Sequence, residues 1–458
     1  MKKRIRIKDY QCTELEFGRL FADMYGEDIK YNVDTKRYLV WNGEKGVWQI
    51  DKFEYAKQTA TKFLSEVLPE MAAEIMNDAK RKKYIDYVAR IQNNGKVENI
   101  LKIARLSDDM QITSKELDAD PRYFNCINGI YDFKEDKIIN HNKGLLITKQ
   151  SNIIMSDDVE DHTWRDFLFD IANQDEEVQE YLLRMIDYSI QGNPVEHCMF
   201  ILFGVTTRNG KSTFMKGVLS ALGDYGITTQ PETISKGSRS ASGPRPELVR
   251  LQGKRMINIA EPSNNQQLDI GLIKALTGRD TISARGLYAD HIEFTNQGVF
   301  VMHTNHLPIV DDNTLFTSGR VIVIPFDARF EGNNQDTDML AKLTTSEAIS
   351  GLFRDILEVR AEYDECGVKE WLPDKVEEAT KEFADKSDYI GWFIRECIRS
   401  KQGKWARTKD ISVAYNAWAK KTENPSLTIK ALTQQLIQRG LIHKHRNSGN
   451  GFQDIELK

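Results

Sequence analysis

At 458 residues, 40% of them hydrophobic and 29% charged, the chain has the length of about three domains and an ordinary folded composition. No apolar run approaches the ~20 residues that span a bilayer, and the basic start Met1-Lys2-Lys3-Arg4 has no signal-peptide core behind it, so no membrane partner and a cytoplasmic setting are expected. The five cysteines (Cys12, Cys126, Cys198, Cys366, Cys397) lack any Cys-x-x-Cys spacing, which argues against a zinc ribbon or disulfide framework; with a net charge of −5, nucleic-acid binding would need local basic surfaces.

Residues 1–150 read as a mixed α/β region. Tyr38–Gly43 and Val47–Ile50 form a hairpin pattern whose loop starts at Asn42-Gly43. The stretch from Phe53 to about Leu106 is helical and heavily charged, and Asn125–Phe133 gives a second turn-and-strand signal. Asp118-Ala119-Asp120 has the carboxylate spacing of a metal site, but Pro121 follows at once, so two solvated loop acids are expected there.

A helical lead-in over 160–195 precedes about 130 residues in which short apolar strands alternate with helices, the pattern of an α/β fold. The predicted strands are Met199–Phe203, Arg255–Ala260, Val299–His303 and Val321–Pro325. After the first comes Gly204-Val205-Thr206-Thr207-Arg208-Asn209-Gly210-Lys211-Ser212-Thr213, then a helical pattern stopped by Gly223. Strand, loop, Gly-Lys-Ser and helix in this order predict a P-loop. Backbone N–H groups face a phosphate, Lys211 adds a cation and Ser212 offers a ligand to Mg²⁺. The spacing departs from the usual pattern: five residues, not four, separate Gly204 from Gly210, and Val205 stands where the first glycine belongs. A Gly/Ser/basic loop at Ser235–Arg245 is either mobile or touches a phosphate backbone.

A bound nucleotide needs an acid at a neighbouring strand end. Glu261, after Ile257-Asn258-Ile259-Ala260, is placed to be the base and, through water, a metal partner; an ordinary strand-end glutamate is the competing reading. Asn305 ends the third strand as a neutral donor for water or γ-phosphate; an Asx turn before Pro308 competes with that reading. Arg320 precedes the fourth strand, either as a surface ion-pair partner or as an arginine finger in an oligomer.

After Phe330 the chain is polar and helical through Lys386. In 388–458 lysine and arginine outnumber aspartate and glutamate about two to one. Helical patterns at Ile390–Ile398, Thr408–Lys421 and Thr428–Gln438 precede a two-stranded hairpin pattern, together a winged-helix signature.

Gly204–Thr213, Glu261, Lys274-Ala275-Leu276-Thr277-Gly278-Arg279-Asp280, Asn305 and Arg320 together resemble the superfamily III helicases. Their order and spacing are similar to the helicase part of phage and plasmid primases and of poxvirus-type primase-helicases, over roughly residues 15–458. That resemblance implies an α/β, P-loop AAA+-like core in three parts: a pre-helicase α/β domain (1–150), a helicase ATPase (160–385) and a winged helix (388–458). It implies a homo-hexameric ring with ATP and Mg²⁺ between subunits and single-stranded or forked DNA as partner. Lys211, Ser212 and the loop residues Gly204, Thr207, Asn209, Gly210 and Thr213 would hold the nucleotide; Glu261 would activate water, Asn305 would sense the γ-phosphate and Arg320 would act on a neighbour. DNA would be gripped by a hairpin at about Thr281–Phe294, through Arg285 and Tyr288, with Lys274 nearby; a surface hairpin with a packed tyrosine is the competing reading. Lys430, Arg439, Lys444 and Arg446 are candidate contacts to origin duplex, or a solvated basic surface. A stand-alone helicase of a phage, plasmid or other mobile element in a bacterial host cytoplasm is the expectation, without a primase domain, moving 3′→5′. The alternatives are an AAA+ loader and an origin-binding initiator.

Overall fold

The computed structural model describes residues 5–156, 158–236, 244–262, 267–285, 291–308, 310, 314–363, 367–422, 424–446 and 449–458. In the N-terminal part, α1 (Glu14–Tyr25) leads to β1 (Ile29–Asn32), β2 (Arg37–Asn42) and β3 (Val47–Ile50), followed by α2 (Tyr55–Lys62), α3 (Leu68–Ala73), α4 (Asp78–Arg90) and α5 (Asn94–Ala104). A short strand β4 (Gln111–Ile112) completes a sheet of order β3-β2-β1-β4. The apolar faces of the helices meet over Phe17, Phe21, Phe63 and Ile100, all fully buried.

Next comes a three-stranded antiparallel sheet of β5 (Tyr123–Cys126), β6 (Gly129–Asp132) and β7 (Lys137–Ile139), then α6 (Thr163–Ile171) and α7 (Glu176–Ile190). Phe124, Cys126 and Tyr131 pack in one cluster with Trp164, Tyr181 and Phe200, so packing is continuous across position 150. Asp118 differs from the expected solvated acid. It is 7% exposed, accepts the Thr148 N–H at 2.6 Å and pairs with Lys149 at 3.2 Å, while Asp120 is exposed. It stabilises a loop.

The central sheet has the order β14-β8-β13-β10-β9, with every recorded pairing parallel. Its strands are β8 (Met199–Phe203), β9 (Gly226–Thr229), β10 (Met256–Ile259), β13 (Val299–Thr304) and β14 (Val321–Pro325). Helix α8 (Lys211–Leu222) follows β8. Short α9 (Pro246–Val249) precedes β10, and α10 (Ile270–Thr277) and the antiparallel pair β11 (Thr281–Arg285) and β12 (His291–Thr295) lie between β10 and β13. Short α11 (Thr314–Thr317) precedes β14. Apart from the edge strand β9, these strands read as mainly apolar runs because a parallel sheet is covered on both faces. Alternation divides them: Phe200, Leu202, Val301 and Ile324 join the α6–α8 side, and Ile201, Ile257, Met302 and Val323 join the α10 side. Beyond β14, α12 (Met339–Leu343), α13 (Ser346–Tyr363) and α14 (Asp374–Ser387) pack back on the sheet, α13 on the first side and Phe383 of α14 on the second.

Arg255, just before β10, ties the upstream sheet to this core. Its guanidinium is 2% exposed and donates to the carbonyls of Pro121 (3.0 Å), Tyr123 (3.0 Å) and Ile190 (3.3 Å). Gly192, at φ +62°, leaves it room, since a Cβ there would lie on its Nη1. Arg255→Ala strands these carbonyls and opens a cavity, at an expected cost of about 3–5 kcal/mol. Thermal unfolding checks this; an unchanged midpoint would remove Arg255 as the joint.

The last part has its own core, around Phe393, Tyr415, Trp418 and Phe452. Its elements are α15 (Tyr389–Cys397), β15 (Ile398–Arg407), α16 (Thr408–Lys421), α17 (Ile429–Gln438), β16 (His443–Arg446) and β17 (Gly449–Leu457). The sheet has three strands, in the order β15-β17-β16, where the sequence predicts two. β15 is mostly exposed and polar, and its place is set by pairing with β17, including Ile398 with Leu457.

Candidate nucleotide site

Strand β8 lies between β14 and β13, which come much later in the chain, so the connections diverge at its C-terminal end. That is where ligands bind in open α/β sheets. Gly204 closes the strand. A Cβ on it would stand 2.3 Å from Asn209 Nδ2 and 2.5 Å from the Phe326 carbonyl, so a glycine is required. Asn209, 4% exposed, pins the loop by donating to the carbonyls of Thr206 (2.7 Å) and Phe326 (3.4 Å). Phe330 N–H donates to the Arg208 carbonyl at 2.9 Å. Gly210, at φ +86°, turns the chain into α8, where a Cβ would meet Ile171 at 2.4 Å. The first N–H groups of α8 lack intrahelical acceptors, and Phe214 N–H to the Gly210 carbonyl (2.8 Å) begins the ladder. Thr207 and Ser212 are exposed at this mouth and Thr213 is half-buried.

Lys211 is 4% exposed. Its ammonium donates to the Gly204 carbonyl (3.0 Å) and to Asn305 Oδ1 (2.8 Å), and it enters no ion pair among the described residues. Burial lowers its pKa to about 8, and Glu261 opposes that shift. Asn305 N–H in turn donates to Glu261 Oε1 at 3.2 Å. Lys211, Asn305 and Glu261, far apart in sequence, therefore meet beyond the C-terminal ends of β8, β13 and β10. A buried cation held only by neutral oxygens, beside a helix start with bare N–H groups, is suited to a phosphate anion. Among the described residues no cluster of three or more His, Cys, Asp or Glu side chains could hold a metal alone.

Behind the site runs a polar chain that the sequence reading did not single out. Asn258 Nδ2 donates to Thr228 Oγ1 (3.2 Å), and Asn258 Oδ1 faces His303 Nδ1 at 3.0 Å. Because that oxygen can only accept, His303 carries its proton on Nδ1. Burial, aided by Lys211 and Lys216, lowers its pKa, against the pull of Glu261. The available signal was a polar side chain interrupting each of two apolar strands.

Arg320 lies elsewhere. Val321 pairs with Met199 and Pro325 with Phe203, so Arg320 stands at the opposite strand end, about 16 Å along the sheet from the loop. Its Nη1 donates to Thr277 Oγ1 (2.7 Å) and to the Lys274 carbonyl (3.4 Å), closing the C-terminus of α10. Lys274 is half-buried on that helix. Arg285 ends β11 opposite His291, and its carbonyl accepts the Arg245 N–H at 2.8 Å. Tyr288 and residues 237–243 of the Gly/Ser/basic loop lie outside the described residues.

In the last part Lys430, Lys444 and Arg446 are exposed, and the Arg446 guanidinium lies 4.3 Å from the Trp405 ring centre. Arg439 is committed within the fold: it pairs with Asp388 at 2.6 Å and donates to Gln435 Oε1 at 2.8 Å, so a duplex contact from it would break both.

A family model described as D5 N terminal like matches residues 18–173, and one described as a family of unknown function matches 202–320. "Putative helicase L207/L206" of Acanthamoeba polyphaga mimivirus is 30% identical over 168 residues, 37% of this chain and 17% of its own length. "Primase D5" of fowlpox virus is 23% identical over 349 residues, 70% of this chain and 39% of its own length. The chain thus spans well under half of these relatives. A solved structure of the NrS-1 C terminal region superposes with a TM-score of 0.52 at 10% identity, over 97% of this chain and 100% of that one, a likeness of fold alone. No helix among the described residues is long and apolar enough to cross a membrane.

Proposed function

We propose, from the premise that the chain belongs to the D5-type primase-helicase family, that it is an ATP-driven DNA helicase of replication, with a P-loop AAA+-like core and a C-terminal winged helix. The observation that carries this reading is the meeting of Lys211, Asn305 and Glu261 at one end of the central sheet. ATP and Mg²⁺ fit there, because the buried Lys211 enters no ion pair among the described residues and the first N–H groups of α8 lack intrahelical acceptors. Mg²⁺ supplies charge neutralisation on the phosphates. Lys211 would bind the β- and γ-phosphates, Ser212 and Glu261 would hold the metal, and Glu261 would take the proton of the attacking water. Asn305, held by Lys211 and Glu261, is placed to hand its amide to the γ-phosphate once Lys211 turns to the nucleotide.

Arg320 is too far from its own Lys211 to touch the same phosphate, which favours action on a neighbouring subunit of a ring. Arg320→Ala and Lys211→Ala proteins, each inactive alone, are expected to regain part of the ATPase on mixing, because mixed rings contain interfaces with both residues intact. No recovery at any ratio would return Arg320 to its role in closing α10.

DNA-stimulated ATP hydrolysis tests the coupling. Single-stranded DNA is expected to raise turnover, and Arg285→Ala to reduce the stimulated rate more than the basal rate. Equal loss in both would remove the β11–β12 hairpin as the grip. The exposed Lys430, Lys444 and Arg446 favour a second role, duplex binding at an origin. Normal duplex binding by the Glu261→Gln protein without unwinding by the wild type would favour an initiator over a motor.

A further inference from the structure

A groove of about 1420 Å³ separates the β1–β4 sheet from the nucleotide-binding core. Its wall on one side is β2, β3 and the turn into α2; on the other it is Asp224, Val249, Gln252, Lys254 and Ile292 of β12. Small-molecule pockets hold roughly 300–1,000 Å³, so the groove suits a longer, chain-like ligand. It also reaches the hairpin that the helicase reading assigns to DNA, through Ile292.

Four aromatic side chains line it: Trp41, Trp48, Phe53 and Tyr55. Phe53 is 83% and Tyr55 51% exposed, side by side on the same wall. Trp41 is half-buried and meets Trp48 edge-on, with centroids 5.7 Å apart. Trp48 is fixed, 1% exposed with its indole N–H on the Lys143 carbonyl at 2.9 Å, so Trp41 presents a ring whose angle is already set.

Most of the acidic side chains around these rings are already engaged within the fold. Of the five lining acids, three are engaged by backbone N–H groups and at least partly buried: Asp34 accepts the Ser114 N–H (2.7 Å), Asp51 the Tyr55 and Ala56 N–H groups (2.8 Å each) and Asp118 the Thr148 N–H (2.6 Å); Glu44 and Asp224 are exposed at the rim, Asp224 accepting the Gln150 N–H at 3.3 Å. Arg37 and Lys52 are exposed at the same wall and enter no ion pair among the described residues. Stacking surfaces beside uncommitted cations are how proteins hold single strands without reading sequence.

We propose that this groove is a second single-stranded nucleic-acid site, outside the ring channel, that carries the strand between the β11–β12 hairpin and the N-terminal sheet: Phe53, Tyr55 and Trp41 stack on bases, and Arg37 and Lys52 meet phosphates. The proposal rests on the reading of the chain as a DNA motor.

The test uses the full chain and fluorescent oligo(dT). The Phe53→Ala/Tyr55→Ala protein is expected to bind at least about tenfold more weakly, since each base–aromatic stack contributes a measurable share of affinity. Both rings are exposed, so an unchanged thermal midpoint separates this loss from misfolding. An Arg37→Gln/Lys52→Gln protein is expected to flatten the slope of log affinity against log salt by about 1.4, the value for two phosphates on a single strand. Iodouracil-containing oligo(dT) should crosslink within residues 37–55. Wild-type affinity and slope in both variants, with unwinding intact, would overturn the groove and leave the helicase reading standing. Loss of subunit association in place of DNA affinity would assign the groove to a neighbouring subunit and overturn the proposal. Failure of the wild type to bind oligo(dT) would overturn both.

Discussion

Lys211→Ala is expected to slow ATP turnover by at least 10²–10³-fold, the scale of removing one preorganised charge from a developing phosphate anion. The loss should appear in binding as well as in turnover, because the loop brings this buried ammonium into the site. It is buried, held by the Gly204 carbonyl and Asn305 Oδ1, and without an ion-pair partner among the described residues. The folded chain bears a desolvation cost to keep that charge in place, which shows in the lowered pKa of about 8. Removing it should therefore leave the thermal midpoint close to that of the wild type. Steady-state phosphate release, together with fluorescent-nucleotide binding, measures both effects. Wild-type turnover in the variant would move the chemistry away from the β8–α8 loop.

Glu261→Gln is expected to separate binding from hydrolysis. The amide oxygen of glutamine can still accept the Asn305 N–H that Glu261 accepts at 3.2 Å, so the geometry is kept. What disappears is a base able to take a proton from water, typically 10²–10⁴-fold in rate. The variant should hold ATP without turning it over, and filter binding with radiolabelled ATP would show intact nucleotide retained on the protein. Hydrolysis at the wild-type rate would demote Glu261 to a strand-end hydrogen-bond partner.

The sequence made the central sheet legible because its buried strands are continuous apolar runs: Met199–Phe203 and Val321–Pro325 lie where they were predicted, Arg255–Ala260 is one residue shorter at each end, and Val299–His303 is one residue longer at its C-terminal end. The Gly210-Lys211-Ser212 step, Glu261 and Asn305 were legible as polar punctuation of those runs. Edge elements were not. β9 (Gly226–Thr229) has little apolar signal and exists by pairing with β10, and β15 is a polar strand fixed by β17. Asn258 and His303 were hidden for a related reason: each looks like a flaw in a strand until the parallel register places them side by side. The intrachain partners of Arg320 and Arg439 were not legible in the sequence, because they depend on distant segments: Arg320 donates to Thr277 at the end of α10 and Arg439 pairs with Asp388.

The central claim is a motor, and strand separation tests it most directly. A forked duplex with one labelled strand, incubated with ATP and Mg²⁺, should come apart with the wild-type protein and stay paired with Lys211→Ala; moving the single-stranded tail from one strand to the other then gives the direction of travel. A duplex left intact by a wild-type protein that still hydrolyses ATP on addition of DNA would contradict the helicase reading and favour a loader or initiator.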